Sequence, residues 1–197
     1  MEKIYLIHAK AQNGKDTCAE RIKHYYELKG KKVLIIAFAD YVKFVLDKYY
    51  GIPHARTKEY RTHIQQFATD QVRSAVPNFW AEVVAQLLYS IRNDFDIVVI
   101  PDWRFENELQ AIGFYMIDEF RSGETQLIKV LIERENYYFI DNMTEEQRAH
   151  QSENELDNFE NFDYTIINRQ NEFDEFFKDI NTMIKEIEND FTEQGSV

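Results

Sequence analysis

The 197-residue chain predicts an α/β fold with a central parallel sheet of about five strands. Three observations carry that expectation. Apolar runs of strand length recur along the chain without polar alternation, as strands buried on both faces require. Helical patterns separate them, and strand-helix-strand order calls for helices layered on a parallel sheet. A Gly-Lys turn follows the first run directly, where a phosphate-binding loop joins a buried strand to a helix.

The elements follow in order. Lys3-Ile4-Tyr5-Leu6-Ile7-His8 reads as the first strand, and Lys15 to about Leu28 as the first helix. Lys32–Phe38 is the second apolar run, Asp96–Ile100 the third, Leu127–Ile132 the fourth and Tyr164–Ile167 the fifth. Helical spacing covers Asp40–Tyr50, Thr57–Arg73, Phe79–Arg92, Arg104–Ile112 and Glu172–Asn189. In the last helix Phe173, Phe176, Phe177, Ile180, Met183, Ile184 and Ile187 form an apolar stripe with an acidic back, which is the pattern of a core-facing helix. No Pro/Gly/Ser-rich linker divides the chain, so residues 1–197 read as one domain. The polar stretch from Arg134 to Glu155 reads as a partly helical, lid-like excursion, and Glu193–Val197 as a fraying end.

Bulk properties narrow the function. Hydrophobic residues make up 44% of the chain and aromatics 15%, a globular composition. The net charge of −12, with no Lys/Arg run, argues against an extended nucleic-acid surface, which needs phosphate neutralisation. It leaves room for a small basic pocket. The single cysteine, Cys18, cannot form an internal disulfide and reads as a packed thiol. No secretory leader or membrane-length apolar run is visible, so the expectation is a soluble protein of the reducing cytoplasm.

The loop departs from the usual Gly-x-x-x-x-Gly-Lys-[Ser/Thr] pattern at two places. Ala9 stands at the first glycine position, and Asp16 follows Lys15. A bare carboxylate would repel phosphates, whereas a divalent cation accepts carboxylate and phosphate oxygens together. Ligands of open parallel sheets bind beyond the carboxyl ends of the strands. Those ends carry the loop, then Phe38-Ala39-Asp40, then Asp102, Arg104, Asn107 and Glu108. Asp40 equally suits a helix N-cap.

The chain resembles the deoxynucleoside monophosphate kinases of the bacteriophage type, within the P-loop nucleoside monophosphate kinase-like fold. The resemblance spans nearly the whole length. It rests on Gly14-Lys15-Asp16-Thr17; on Phe38-Ala39-Asp40; on Arg61 through Gln65-Gln66, Asp70 and Arg73, with Trp80 following; on Asp102-Trp103-Arg104-Phe105-Glu106-Asn107-Glu108; and on His150-Gln151-Ser152-Glu153, then Phe162-Asp163-Tyr164 and Asn168. Ala9 and Trp103 depart from the family pattern.

The resemblance implies a three-layer P-loop kinase fold and transfer of the ATP γ-phosphoryl group to the 5′-phosphate of a deoxynucleoside monophosphate. Asn13, Gly14, Lys15, Asp16 and Thr17 would bind ATP, with Lys15 bridging the β- and γ-phosphates and Thr17 near the α-phosphate. Asp16 and Asp102 would serve Mg²⁺, partly through water. The acceptor would be held by helices within about residues 40–92, with Asp40 and Glu108 among the binding residues and Arg61, Arg73 and Arg104 gripping its phosphate. Gln65, Gln66 and Asp70 would read the base edge and Trp80 stack on it. Arg104 and Arg134 would assist transfer, Arg134 as a lid arginine. Arginine suits the grip because its planar fork matches phosphate oxygens bidentately. His150 reads as a lid contact or structural residue, since an ionised phosphate acceptor needs no base.

Other readings stay open on sequence. A P-loop kinase could act on another small anionic acceptor, as the phosphomevalonate kinase type does, or on a modified base in DNA. The loop could bind nucleotide without turnover, or the motifs could sit accidentally in an inert α/β core. A homodimer is compatible with the sequence and not specified by it.

Overall fold

A computed structural model describes residues 1–55, 57–135, 143–169 and 172–194. Residues 136–142 of the expected excursion and the last three positions of the expected fraying end lie outside those residues. The sheet has five parallel strands in the order β2-β3-β1-β4-β5. They are β1 (Lys3–Ala9), β2 (Val33–Ile35), β3 (Ile97–Ile100), β4 (Gln126–Arg134) and β5 (Tyr164–Asn168). β1 is central, in register with β3 from Lys3↔Ile97 and with β4 from Lys3↔Gln126.

Alternation along β1 sorts the core into two layers, since successive side chains of a strand point to opposite faces. Tyr5 and Ile7 pack with Cys18, Ala19, Ile22 and Tyr26 of α1 (Lys15–Glu27) and with Phe176, Ile180, Met183, Ile184 and Ile187 of α9 (Phe173–Gln194). Ile4 and Leu6 face the other way, onto Ala81, Val84, Ala85 and Leu88 of α4 (Phe79–Ser90) and Ala111 and Ile112 of α5 (Glu106–Tyr115). The central sheet flanked by helices is therefore as expected. The stripe of α9 is buried as read, except that Phe173 at its start is exposed and Phe177 is half-buried. Burial pushes the Cys18 thiol up to about 12, which fits a packed, unreactive side chain.

Several boundaries differ from expectation. The second strand spans only Val33–Ile35, and α2 (Phe38–Tyr50) begins at Phe38, before Asp40. The reason is tertiary: Asp102, beyond β3, accepts the N–H of Phe38 at 2.8 Å and of Ala39 at 3.0 Å, and so satisfies the first turn of α2 from outside. The expected helix over Thr57–Arg73 is α3 (Lys58–Gln65), N-capped by Thr57, followed by a π-helical stretch over Gln66–Arg73. A short helix, α6 (Ile117–Arg121), was not expected.

The described part of the excursion contains α7 (Glu145–Ala149) and α8 (Gln151–Asn154). It docks on α3. Gln147 donates from Nε2 to Lys58 O and Thr62 Oγ1, each at 2.8 Å, and Gln65 Nε2 donates to Gln147 O at 3.2 Å. Lys10, after β1, anchors the same segment by donating to Glu153 O at 2.5 Å and pairing with Asp157. No helix among the described residues is long and apolar enough to cross a membrane.

Candidate active site

The loop between β1 and α1 is shaped by its backbone before any side chain acts. Gly14 N-caps α1 at φ 102°, a conformation in which side chains are strained, and Gln12 is also left-handed at φ 63°. A Cβ on Gly14 would meet Asn168 Nδ2 at 2.7 Å and Phe176 Cζ at 3.2 Å, so only glycine fits. Asn168, ending β5, donates from Nδ2 to Asn13 O at 2.9 Å and holds the loop to the sheet. Asn13 itself is buried, donating to Ile132 O at 3.5 Å. Ala9 is buried at the end of β1 and demands no positive φ, which explains why alanine is accepted there.

A cleft of about 820 Å³ runs from this loop across the strand ends. Gly14, Lys15, Asp16 and Thr17 of the loop line it together with Arg61, Gln65, Arg73 and Trp80 and with Asp102, Arg104 and Glu108 from beyond β3. Lys15 pairs with Asp16 at 2.7 Å, and the Asp16 side chain is 76% exposed. Trp80 forms wall and core at once, donating from Nε1 to Ala68 O at 3.1 Å and packing on Phe67 and Phe79. A second, shallower pocket of about 470 Å³ lies beyond Asp16 and Thr17, between Arg21, His24 and Phe177.

Three arginines meet in the cleft, and each is set by a carboxylate. Arg73 ion-pairs with Glu108, donates to Asn107 Oδ1 at 3.1 Å, and stacks over the Phe105 ring at 3.9 Å. Arg61 and Arg104 both pair with Glu153 Oε1, at 3.1 and 2.9 Å. Burial works against the charge on Arg104, but Glu153, with Asp102 and Glu108, outweighs it and the guanidinium is held above its usual range. Glu108 is 1% exposed, and burial pushes its carboxyl up to about 7, against the opposing pull of Arg73. Its Oε2 also accepts the N–H groups of Arg104 at 2.9 Å and Phe105 at 3.1 Å.

Five expected site residues are not among those lining the cleft, the buried Asn13 being one of them. Asp40 accepts the Ala37 N–H at 2.8 Å and pairs with Lys43, so it acts as a cap of α2. Gln66 is exposed. Asp70 is exposed and meets His150 Nε2 at 3.2 Å, a contact that gives His150 a structural role in docking the α7–α8 segment. Arg134, at the end of β4, donates to Gln12 O at 3.4 Å and so touches the loop from behind. The residue the functional assignments passed over is Glu153, although the His-x-Ser-Glu series had marked its position. Trp103, a departure from the motif, is fully buried, donates from Nε1 to Phe105 O at 2.8 Å, and packs on Phe159 and Phe162. Its size serves the core.

Asp16 suits a Mg²⁺ that arrives on nucleotide phosphates, because such an ion keeps waters and needs only one or two protein carboxylates. Asp102 fits less freely, as both its oxygens already accept N–H groups of α2. Among the described residues no group of three His, Cys, Asp or Glu gathers into an all-protein metal cage.

No family model matches the sequence, and no curated protein matches it. Among solved structures, the chain is similar to an APS kinase, CysC, of Mycobacterium tuberculosis with one cysteine-to-alanine substitution. The identity is 8% over 93% of this chain and 97% of that one, with a TM-score of 0.49. It is also similar to a protein named APE1195, at 12% identity over 67% of this chain and 60% of that one, with a TM-score of 0.37. Both scores fall below 0.5, so the fold rests on the observed strand order and register, and the function on the cleft itself.

Proposed function

We propose that this protein is an ATP-dependent phosphotransferase that converts a deoxynucleoside monophosphate to the diphosphate, releasing ADP. The observation that carries this reading is one continuous cleft lined both by the loop residues Gly14, Lys15, Asp16 and Thr17 and by Arg61, Arg73 and Arg104. Two phosphorylated substrates need two anion sites facing each other, and phosphoryl transfer is chiefly positioning and charge neutralisation.

The donor phosphates lie on the N–H groups from Asn13 to Thr17, where the start of α1 favours negative charge. Lys15 moves from Asp16 onto the β- and γ-phosphates, and Asp16 is then free to face the cation that accompanies ATP. Mg²⁺ supplies charge neutralisation between the phosphates when bound. The acceptor phosphate carries about two negative charges near neutral pH, and the free edges of Arg61, Arg73 and Arg104 take it. Arg104, nearest the strand ends, neutralises charge on the group in transit. Gln65 offers its amide oxygen to an acceptor ring, since its Nε2 is already given to Gln147, and Trp80 supplies an apolar wall.

A coupled ADP-release assay with ATP and Mg²⁺ against the common deoxynucleoside and ribonucleoside monophosphates tests the reading. ADP production dependent on one or a few deoxynucleoside monophosphates is expected. ADP production with none of them, alongside an ATP-induced rise in melting temperature, points instead to another small anionic acceptor or to binding without turnover.

A further inference from the structure

Glu153 lines the cleft and touches two arginines that approach it from different elements. Arg61 comes from α3 and Arg104 from the turn after β3, and each sends Nη1 to the same oxygen, Glu153 Oε1. Arg104 Nη1 also donates to Ser152 O at 2.8 Å. The remaining N–H groups of both guanidiniums have no partner among the described residues.

The geometry points to Glu153 as a positioning residue: its carboxylate sets Arg61 and Arg104 side by side with their free edges turned to the cleft, as one grip for the acceptor's phosphate. The inference rests on the kinase reading of the cleft and adds to it the residue that builds the acceptor end. Without a carboxylate between them, two guanidiniums in this position repel and swing apart. With it, each gives up one nitrogen and keeps the rest of its planar fork for a phosphate.

Glu153 is itself fixed. Its side chain is 7% exposed, its carbonyl accepts Lys10 Nζ at 2.5 Å, and its N–H donates to His150 O at 2.9 Å. A carboxylate anchored through its own backbone, buried, and using only one face of each guanidinium differs from a placeholder that an incoming phosphate must expel. Because Glu153 lies on the α8 segment, docking of that segment onto α3 and assembly of the phosphate grip become one event.

The test is calorimetric titration of deoxynucleoside monophosphates, without ATP, into the wild type and the Glu153→Ala, Glu153→Asp and Glu153→Gln variants, with melting temperatures and steady-state constants alongside. Expected is a tenfold or greater rise in acceptor Kd and KM for Glu153→Ala. Glu153→Asp, which keeps the charge but loses reach, rises severalfold even if the alanine variant folds poorly. Glu153→Gln, which keeps an oxygen between the arginines but not the charge that offsets their repulsion, also raises both severalfold, and the KM for ATP is unchanged throughout. Acceptor binding by Glu153→Ala or Glu153→Asp that equals or exceeds wild type overturns the inference, because that is how a displaced placeholder behaves. So does failure of the wild type to bind any phosphomonoester. Monophosphate binding without ADP release fails the kinase reading alone, and the variant series still decides the role of Glu153.

Discussion

Asp102 accepts the main-chain N–H of Phe38 at 2.8 Å across a sequence separation of 64 residues, so the end of β3 decides where α2 begins. Two backbone donors depend on that one carboxylate, since Ala39 N–H uses its other oxygen. Asp102→Asn keeps one acceptor and turns an amide N–H₂ toward the second donor. Loss of such a contact costs about 1–3 kcal/mol. Denaturant unfolding is expected to show that loss in the absence of ligand. An unchanged midpoint would mean that α2 starts without Asp102.

Glu108 gives a pH dependence with a definite sign. Its carboxyl is raised from 4.5 to about 7 in the folded state. Between those values the native state holds a proton that the unfolded chain has released, so this group favours folding at low pH. The advantage is lost as pH rises through about 7. Stability attributable to Glu108 is therefore greater at pH 5 than at pH 8. Glu108→Gln, which cannot ionise, is expected to flatten the dependence, removing a difference of roughly 3 kcal/mol by the value of 1.36 kcal/mol per pK unit. Urea titrations of both proteins at the two pH values check it, and parallel pH profiles would contradict it.

Arg73 is the partner that keeps the ionised form of Glu108 tolerable. Arg73→Ala is expected to destabilise the fold by a few kcal/mol at pH 8, where an unpaired buried carboxylate results, and by less at pH 6, where Glu108 can take up a proton. In the kinase assay the same variant is expected to raise the acceptor KM or lower kcat, with the KM for ATP little changed. An effect confined to ATP would place Arg73 outside the acceptor end.

The donor end has its own test in Asn168. Its Nδ2 holds Asn13 O at 2.9 Å and stands against Gly14. Asn168→Ala removes one hydrogen bond worth about 1 kcal/mol. ATP affinity is expected to fall severalfold while binding of the acceptor monophosphate is preserved. Calorimetry with each ligand separately reads the difference.

Much of this architecture is legible in the chain because its signals are local. Continuous apolar runs marked all five strands, and the loop was legible as a Gly14-Lys15 pair set between a strand and a helix. Arg61, Arg73 and Arg104 were readable as candidates, and they line one cleft. What stayed hidden depends on distant partners. The start of α2 is set by Asp102, and no feature of residues 32–40 announces it. The π-helical stretch over Gln66–Arg73 changes which side chains share a face, and Gln66 and Asp70 are exposed within it while Arg73 lines the cleft. Glu153 looks like one acid in an acidic segment until Arg61, separated by 92 residues, is brought to it.

The most direct test of the central claim follows the phosphoryl group itself. ATP labelled on its γ-phosphate is mixed with Mg²⁺, a panel of deoxynucleoside monophosphates and either wild type or Lys15→Ala, and the products are separated. The label is expected in a deoxynucleoside diphosphate with wild type. Lys15→Ala should slow its appearance on the order of a hundred- to a thousand-fold, the loss typical of removing one preorganised electrostatic contact. Label that stays in ATP, or appears only as inorganic phosphate with every acceptor, would contradict the kinase assignment.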